Sequence, residues 1–416
     1  MPGDGPVIAL VDGEHHPSVV REALDRVQSD RGLAGVLFCG GEEKVRSEVL
    51  EDPYRHYGRG IERGDPAALL ARLAYTTGAV TVLDLADEPV LPAAAKMRLA
   101  CHALDAGLSF EGPGFRVRAP VYERIAFEGP KLALIGTGKR TGKTAVAGHW
   151  ATLLREQGAS PVIVSMGRGG PAEPQVAGPD TSLDDLLEIA ARGEHAASDY
   201  LEDAAIARVP AVGCRRVGGG LAGEAFASNV LAGAELALSL DPGTLIFEGS
   251  GATIPPVQVD RTVCVVGERS EALGELGPYR LLRAQLALVM RGDSQLGSEV
   301  AKICRGQVLT CELRPEPAEE LPPDARVAAF TTGAPAPPGA IVASTNLARR
   351  SALEADVERA VSERCDVWLV EIKAAGIDTV AERARREGAR IVFLRNRPVA
   401  IDGNLDAELV KLHADV

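Results

Sequence analysis

The chain has 416 residues, 46% of them hydrophobic, which is enough for more than one core, so two or three domains are expected. Its 58 acidic and 45 basic side chains leave a net charge of −13. This balance excludes a general affinity for nucleic acid or anionic membranes, and it requires a local basic pocket for any anionic ligand. No basic leader followed by an apolar run opens the chain, and no apolar stretch approaches the roughly eighteen residues of a membrane span. The seven cysteines are scattered without a C-x-x-C pair. A cytoplasmic protein with buried, reduced thiols is therefore expected, without a nucleic-acid or membrane partner.

Short apolar runs alternate with helical segments, the pattern of parallel sheets covered on both faces, so the fold class is α/β. VIALVDG (Val7 to Gly13), the helical SVVREALDRV, GVLFCGG (Gly35 to Gly41) and AVTVLDLAD (Ala79 to Asp87) predict a Rossmann-like N-terminal domain over residues 1–125. Glycines and prolines after Phe110 break the rhythm and place a boundary between Ala119 and Pro130. A P-loop-type parallel-sheet domain is expected over 126–320, with strands at PVIVSMG, PAVGC, TLIFEGS and RTVCVVG. The proline-rich stretch from Arg314 to Pro338 reads as a connector. Residues 321–416 then restart the alternation, either completing the P-loop sheet or standing as a third unit.

The central motif is KLALIGTGKRTGKTAVAGHW, Lys131 to Trp150, in which an apolar strand passes through a loop rich in glycine, lysine and threonine into an Ala-rich helix. That layout grips phosphates. Glycines let backbone amides turn inward, the helix N-terminus adds partial positive charge, and Lys143 and Thr144 reach the terminal phosphates and a magnesium ion. The candidate ATP-binding residues are Gly136, Thr137, Gly138, Lys139, Arg140, Thr141, Gly142, Lys143 and Thr144. The usual spacing wants glycine where Thr137 stands, and Gly136 lies one residue too early.

Three further clusters are polar. In VDGEHHP, Asp12, His15 and His16 sit at the carboxyl end of the opening strand, where α/β sheets hold ligands. Adjacent histidines on a strand end point in opposite directions and do not share a metal. SMGRGGP carries Arg168, and GCRRVGGGLAG carries Arg215 and Arg216. Arginine beside glycine suits an anion clamp, the alternative being surface salt bridges. Lys139 and Arg140 add charge near a reacting γ-phosphate.

The loop opening Gly-Thr and ending Gly-Lys-Thr resembles that of dethiobiotin synthetase and the cobyrinate amidating enzymes, as does TLIFEGSG, Thr244 to Gly251. The resemblance implies that Glu248 helps hold magnesium, for which hard oxygen ligands are suited. A third oxygen ligand is assigned to Asp180 in GPDTSLDD, where Asp184, Asp185 and helix capping by Asp180 compete with it.

Over most of its length the chain resembles the cyclic 2,3-diphosphoglycerate synthetase family. VDGEHHP, GTGKRTGKT, VSMGRGGP, RRVGGGLAG, FEGSGATIPPV and VEIKAAGID carry this resemblance, in that order. It implies an ATP- and Mg2+-dependent ligase that closes 2,3-bisphosphoglycerate into an intramolecular phosphoanhydride. Catalytic roles would then fall to Lys143, Lys139 and Arg168, substrate contacts to Asp12, His15, His16, Arg168, Arg215 and Arg216, and metal contacts to Thr144, Glu248 and Asp180. Two alternatives remain open at this stage, another ATP-dependent carboxylate- or phosphate-activating ligase and a nucleotide-switched regulatory NTPase. A homodimer is the expected assembly. RNRP, Arg395 to Pro398, reads either as a base contact or as a strand-end turn. Glu371, Lys373 and Asp378 of VEIKAAGID either approach a ligand or seal an interface.

Overall fold

Apolar runs become the inner strands of two separate sheets in the computed structural model, which describes residues 5–416. The first unit runs to Val121 and also takes up Arg269–Arg283, and the second comprises Tyr122–Glu268 and Ala284–Val416.

In the first unit, β1 (Val7–Val11), β2 (Leu33–Phe38), β3 (Thr81–Asp84), β4 (Ser109–Gly112) and β5 (Phe115–Val117) form a sheet ordered β2-β1-β3-β4-β5. All neighbours pair in parallel except the β4/β5 hairpin. Every residue of β1 is buried, because both of its edges are paired and both of its faces covered, which is why VIALV is unbroken by polar residues. The helix Pro17–Asp30 starts on His16, whose Nδ1 accepts from the Ser18 N–H, and its Val20 and Leu24 enter the core with Val36, Phe38 and Tyr57. The excursion Arg269–Arg283 belongs with this unit, and the Cys101 thiol donates to the Glu275 carbonyl at 3.7 Å. A contiguous sequence boundary does not anticipate it, since local apolar pattern does not say which core a short helix joins.

The second unit holds β6 (Lys131–Gly136), β7 (Pro161–Gly167), β8 (Gln175–Ala177), β9 (Ala211–Val217), β10 (Ala227–Ser228), β11 (Thr244–Glu248) and β12 (Arg261–Val266). It continues with β13 (Leu286–Val289), β14 (Gln307–Pro317), β15 (Val327–Phe330), β16 (Val342–Ser344), β17 (Val367–Val370) and β18 (Arg390–Ala400). One sheet runs β10-β9-β7-β11-β6-β12-β13-β14-β18-β17-β15-β16, with β8 on β9. Strands from β9 to β14 pair in parallel, as do β18, β17, β15 and β16, and the two parallel stretches are joined by the antiparallel pair β14/β18. The sheet is thus continuous into the C-terminal segment.

That junction corrects the reading of Arg314 onward as connector, because β14 extends to Pro317. The Ala318 N–H donates to the Phe393 carbonyl at 2.8 Å. Continued back along the register, this parity gives the β18-facing bonds to Glu316, Arg314 and Glu312. Pro315 and Pro317 then turn their nitrogens to the opposite edge, which β13 has left after Thr310. RNRP likewise proves to be mid-strand in β18 rather than a turn.

β6 lies between β11 and β12, so its carboxyl end opens at the middle of the sheet, where α/β proteins hold ligands. The following helix, Lys143–Glu156, is locked in place by Trp150, which is fully buried and donates its Nε1–H to the Leu409 carbonyl at 3.0 Å. No helix among the described residues is long and apolar enough to cross a membrane.

Candidate nucleotide and anion site

The loop after β6 turns with left-handed backbone at Arg140 (φ 55°) and at Gly142 (φ 96°), the N-cap of the helix. Such positions build the amide nests that hold phosphate. The displaced glycine now has a reason. A Cβ on Gly136 would lie 2.9 Å from Lys143 Nζ and 3.1 Å from Thr141 Oγ1, so a larger residue there would displace the lysine from its folded-back position. Thr137 anchors the loop to the neighbouring strand instead, its N–H donating to the Val265 carbonyl at 3.1 Å and its hydroxyl accepting from the Gly267 N–H at 3.0 Å.

Lys143 is buried and donates to the Gly138 carbonyl at 2.9 Å and to the Thr141 hydroxyl at 3.2 Å. Burial pulls its pKa down. An ammonium held by neutral oxygens in a dry site would gain strongly from a phosphate.

Next to it, Thr144 Oγ1 donates to one oxygen of Glu248 at 2.8 Å and Ser165 Oγ to the other at 2.9 Å. Glu248 ends β11 and Ser165 lies in register with it on β7. The glutamate is 2% exposed. Burial, and then the charge of Asp199, push its carboxyl up to about 8. Two hydroxyls and a buried carboxylate form a hard-oxygen set suited to Mg2+, whose charge would favour the ionised carboxylate. Among the described residues no three His, Cys, Asp or Glu side chains form a metal cluster, so any such ion would depend on hydroxyl and phosphate oxygens as well.

Three cavities touch the loop, and one of them, of about 840 Å³, lies against Thr144, Gly148, His149, Glu202 and Arg397. On the β7/β9 side an open cavity of about 660 Å³ is lined by Lys139, Ser165, Arg168, His195, Asp199 and Ser250 among others. Beside this cavity, Arg168 of its lining and Arg216 converge on Gly251, where a Cβ would lie 2.4 Å from an Nη of Arg168 and 3.6 Å from one of Arg216. Arg216 is braced by the Ser250 carbonyl at 2.9 Å and the Gly218 carbonyl at 2.8 Å. Burial, and then Arg168, lower its pKa, as two unneutralised guanidiniums require. Arg215 is exposed, and as the next residue on β9 it faces the opposite side from Arg216. The paired arginines of the sequence are therefore split.

On the other side a cavity of about 1660 Å³ is lined by Arg140, Gly142, Met290, Leu313, Lys373 and Asn396, with other residues. The loop's two exposed cations thus serve different cavities, Lys139 one and Arg140 the other. Glu371, 2% exposed, accepts from the Thr332 N–H at 2.7 Å, the Thr332 hydroxyl at 2.8 Å and Asn396 Nδ2 at 2.8 Å.

Asp180 does not join the Thr144–Glu248 group. It is exposed in the turn after β8, while Asp185 forms a capping box with Ser182 and Asp184 pairs with Arg385. The carboxylates gathered near the loop are Asp199, Glu202 and Asp203, whose charges act on Glu248, Lys143 or each other. Sequence reasoning passed over them, although SDYLED, Ser198 to Asp203, is an acidic run in the helical segment that precedes β9.

Asp12, His15 and His16 lie in the first unit. The Asp12 carboxylate, 0% exposed, accepts from the N–H groups of Glu14, His15 and Asp87 and from His15 Nδ1. His16 is committed to capping its helix, and the half-buried His15 has one ring nitrogen on Asp12.

Family models match most of the chain. The cyclic 2,3-diphosphoglycerate synthetase N-terminal domain matches residues 6–118, its P-loop domain 131–313 and its C-terminal domain 339–397. Similar proteins include the cyclic 2,3-diphosphoglycerate synthetase of Rubrobacter xylanophilus, 41% identical over 97% of this chain and 96% of the relative. That of Methanothermobacter thermautotrophicus is 37% identical over 96% and 93%, and that of Thermococcus gammatolerans 39% identical over 97% and 96%.

Proposed function

This chain belongs to the cyclic 2,3-diphosphoglycerate synthetase family, and from that premise we propose that it uses ATP to cyclise 2,3-bisphosphoglycerate, releasing ADP and phosphate. The observation that carries the reading is the loop of Lys143 and the Thr144–Glu248 pair with an arginine-lined cavity on one side and a larger, partly apolar cavity on the other. The triphosphate lies along Gly136 to Thr144 with Lys143 on its β- and γ-phosphates, and the nucleoside extends into the larger cavity. 2,3-Bisphosphoglycerate takes the smaller one, where Lys139, Arg168 and Arg216 meet its anionic groups, while the outward-facing Arg215 has a peripheral role.

One substrate phosphate oxygen attacks the γ-phosphorus and ADP leaves. An oxygen of the neighbouring phosphate then attacks the phosphorus bonded to the glycerate oxygen, and inorganic phosphate leaves as the ring closes. The chain's own part is position and charge. Lys139 and Arg168 neutralise the transferring group and hold it against its acceptor. Thr144 and Glu248 would hold Mg2+, which would supply further neutralisation of phosphate charge. We take the enzyme to be a cytoplasmic homodimer, which sedimentation and cell fractionation would check.

The test is ADP release with Mg-ATP, with and without 2,3-bisphosphoglycerate, and phosphorus NMR of the products. Stimulation with new phosphoanhydride resonances is expected; ADP release indifferent to bisphosphoglycerate would overturn the assignment.

A further inference from the structure

VEIKAAGID places a second lysine at the nucleotide loop. Lys373 follows β17 in a tight turn in which its own N–H donates to the Glu371 carbonyl at 2.8 Å and its carbonyl accepts from the Gly376 N–H at 2.9 Å. Ala374 is held at φ 48°, a left-handed conformation that an alanine adopts only when its surroundings impose it. A Cβ on Gly376 would meet the Glu371 carbonyl at 2.2 Å. The backbone under Lys373 is therefore rigid, and only its long side chain is free to move.

That side chain pairs with Glu202 at 3.3 Å, with about a third of its surface exposed against 12% for the glutamate. The same lysine lines the larger cavity together with Arg140, Thr141 and Gly142 of the phosphate loop. Its surroundings are acidic, with Glu202, Asp199 and Glu371 all acting on it. Asp203, beside Glu202 and 1% exposed, has no partner on either carboxylate oxygen. Buried acids in excess of cations are a poor setting for a triphosphate unless a cation is available to leave them. Burial pushes the Glu202 carboxyl up to about 7, so it can take up a proton as the lysine departs, although, against burial, the charges of Glu202 and Asp199 hold the lysine's own pKa up.

We propose that Lys373 is a second nucleotide lysine, resting on Glu202 and moving to the γ-phosphate when ATP occupies the loop. The assignment rests on the phosphate-loop reading above. ADP lacks the group that draws Lys373 away, so the residue acts as a sensor of the triphosphate as well as a neutralising charge on the group transferred. No bond to Lys373 is made or broken; only its ion pair is exchanged and a proton taken up by Glu202.

The experiment compares affinities of the full-length protein for Mg-ADP and for a non-hydrolysable ATP analogue by calorimetry in buffers of different ionisation enthalpy. Lys373→Met should bind ADP within about twofold of wild type and lose at least about tenfold for the ATP analogue. Lys373→Arg should recover part of that loss. Wild type should take up a proton on binding the analogue but not on binding ADP, and Glu202→Gln should abolish that uptake while retaining the analogue. Equal weakening of both nucleotides in Lys373→Met, or no weakening, would overturn the proposal. If Lys373→Met does not fold, wild type and Glu202→Gln decide it through the proton uptake alone, whose absence from wild type overturns it. A wild-type protein that bound neither nucleotide would instead fail the phosphate-loop reading.

Discussion

Two acids stand at the carboxyl ends of inner parallel strands, Asp12 after β1 and Glu248 at the end of β11, and both are buried. Asp12 accepts three backbone N–H groups and the His15 ring, so its charge is consumed in shaping its own loop. Glu248 accepts only two hydroxyls, and its carboxyl is pushed up to about 8. Position at the edge where α/β sheets hold ligands is shared; the number of donors already spent on the carboxylate is not. A saturated carboxylate is structural, whereas an under-served one can serve a cation or a proton.

The contrast can be broken by substitution. Lys143→Ala, beside the under-served acid, should lower turnover about a hundredfold or more; retention of a tenth of wild-type ADP release would remove the lysine from its role. Glu248→Gln should raise the Mg2+ concentration for half-maximal activity by about 10- to 100-fold, read from a magnesium titration, with the fold intact by circular dichroism. Asp12→Ala should do the reverse, costing about 3 kcal/mol of stability through stranded amides, measured by urea unfolding, with nucleotide affinity kept. Were Asp12→Ala instead to abolish nucleotide binding in a folded protein, the contrast would be wrong.

Proton linkage gives a finer test. The Glu248 carboxyl is raised from 4.5 to about 8 by burial first. Its contribution to metal-free stability is therefore fully present below pH 4.5 and lost as pH rises toward 8. Thermal melts of the metal-free protein should fall across that window more steeply in wild type than in Glu248→Gln, and Mg2+ should protect more as pH rises. The smallest effect is expected for His15, which keeps one ring nitrogen on Asp12 and has the other left over. His15→Ala should raise the KM for 2,3-bisphosphoglycerate about fivefold, close to 1 kcal/mol, and an unchanged KM would leave the whole cluster structural.

Local sequence already carried the phosphate loop, because strand, glycine turn and helix N-terminus are contiguous and each step has its own residue requirement. The β1, β7, β11 and β12 runs were legible for the same reason, since a strand buried on both faces must be apolar throughout. Glu248 was legible only through its resemblance to other acidic strand ends. Asp180 looks ligand-like in one dimension because it lies in a polar turn after a strand, and nothing along the chain says that the fold carries Asp199 back to β7 instead.

By itself, then, the sequence determined that this is an α/β protein with a phosphate-gripping loop and local basic clusters, since periodicity and glycine placement are short-range constraints. Tertiary structure alone decided four things. It passed β14 through its prolines, because the ladder's parity turned them to an unpaired edge. It split Arg215 from Arg216 by strand alternation. It assigned Arg269–Arg283 to the first unit. It brought Glu202 to Lys373 from 171 positions away. Each depends on which strand lies beside which, and that is a property of the packed sheet rather than of any stretch of chain.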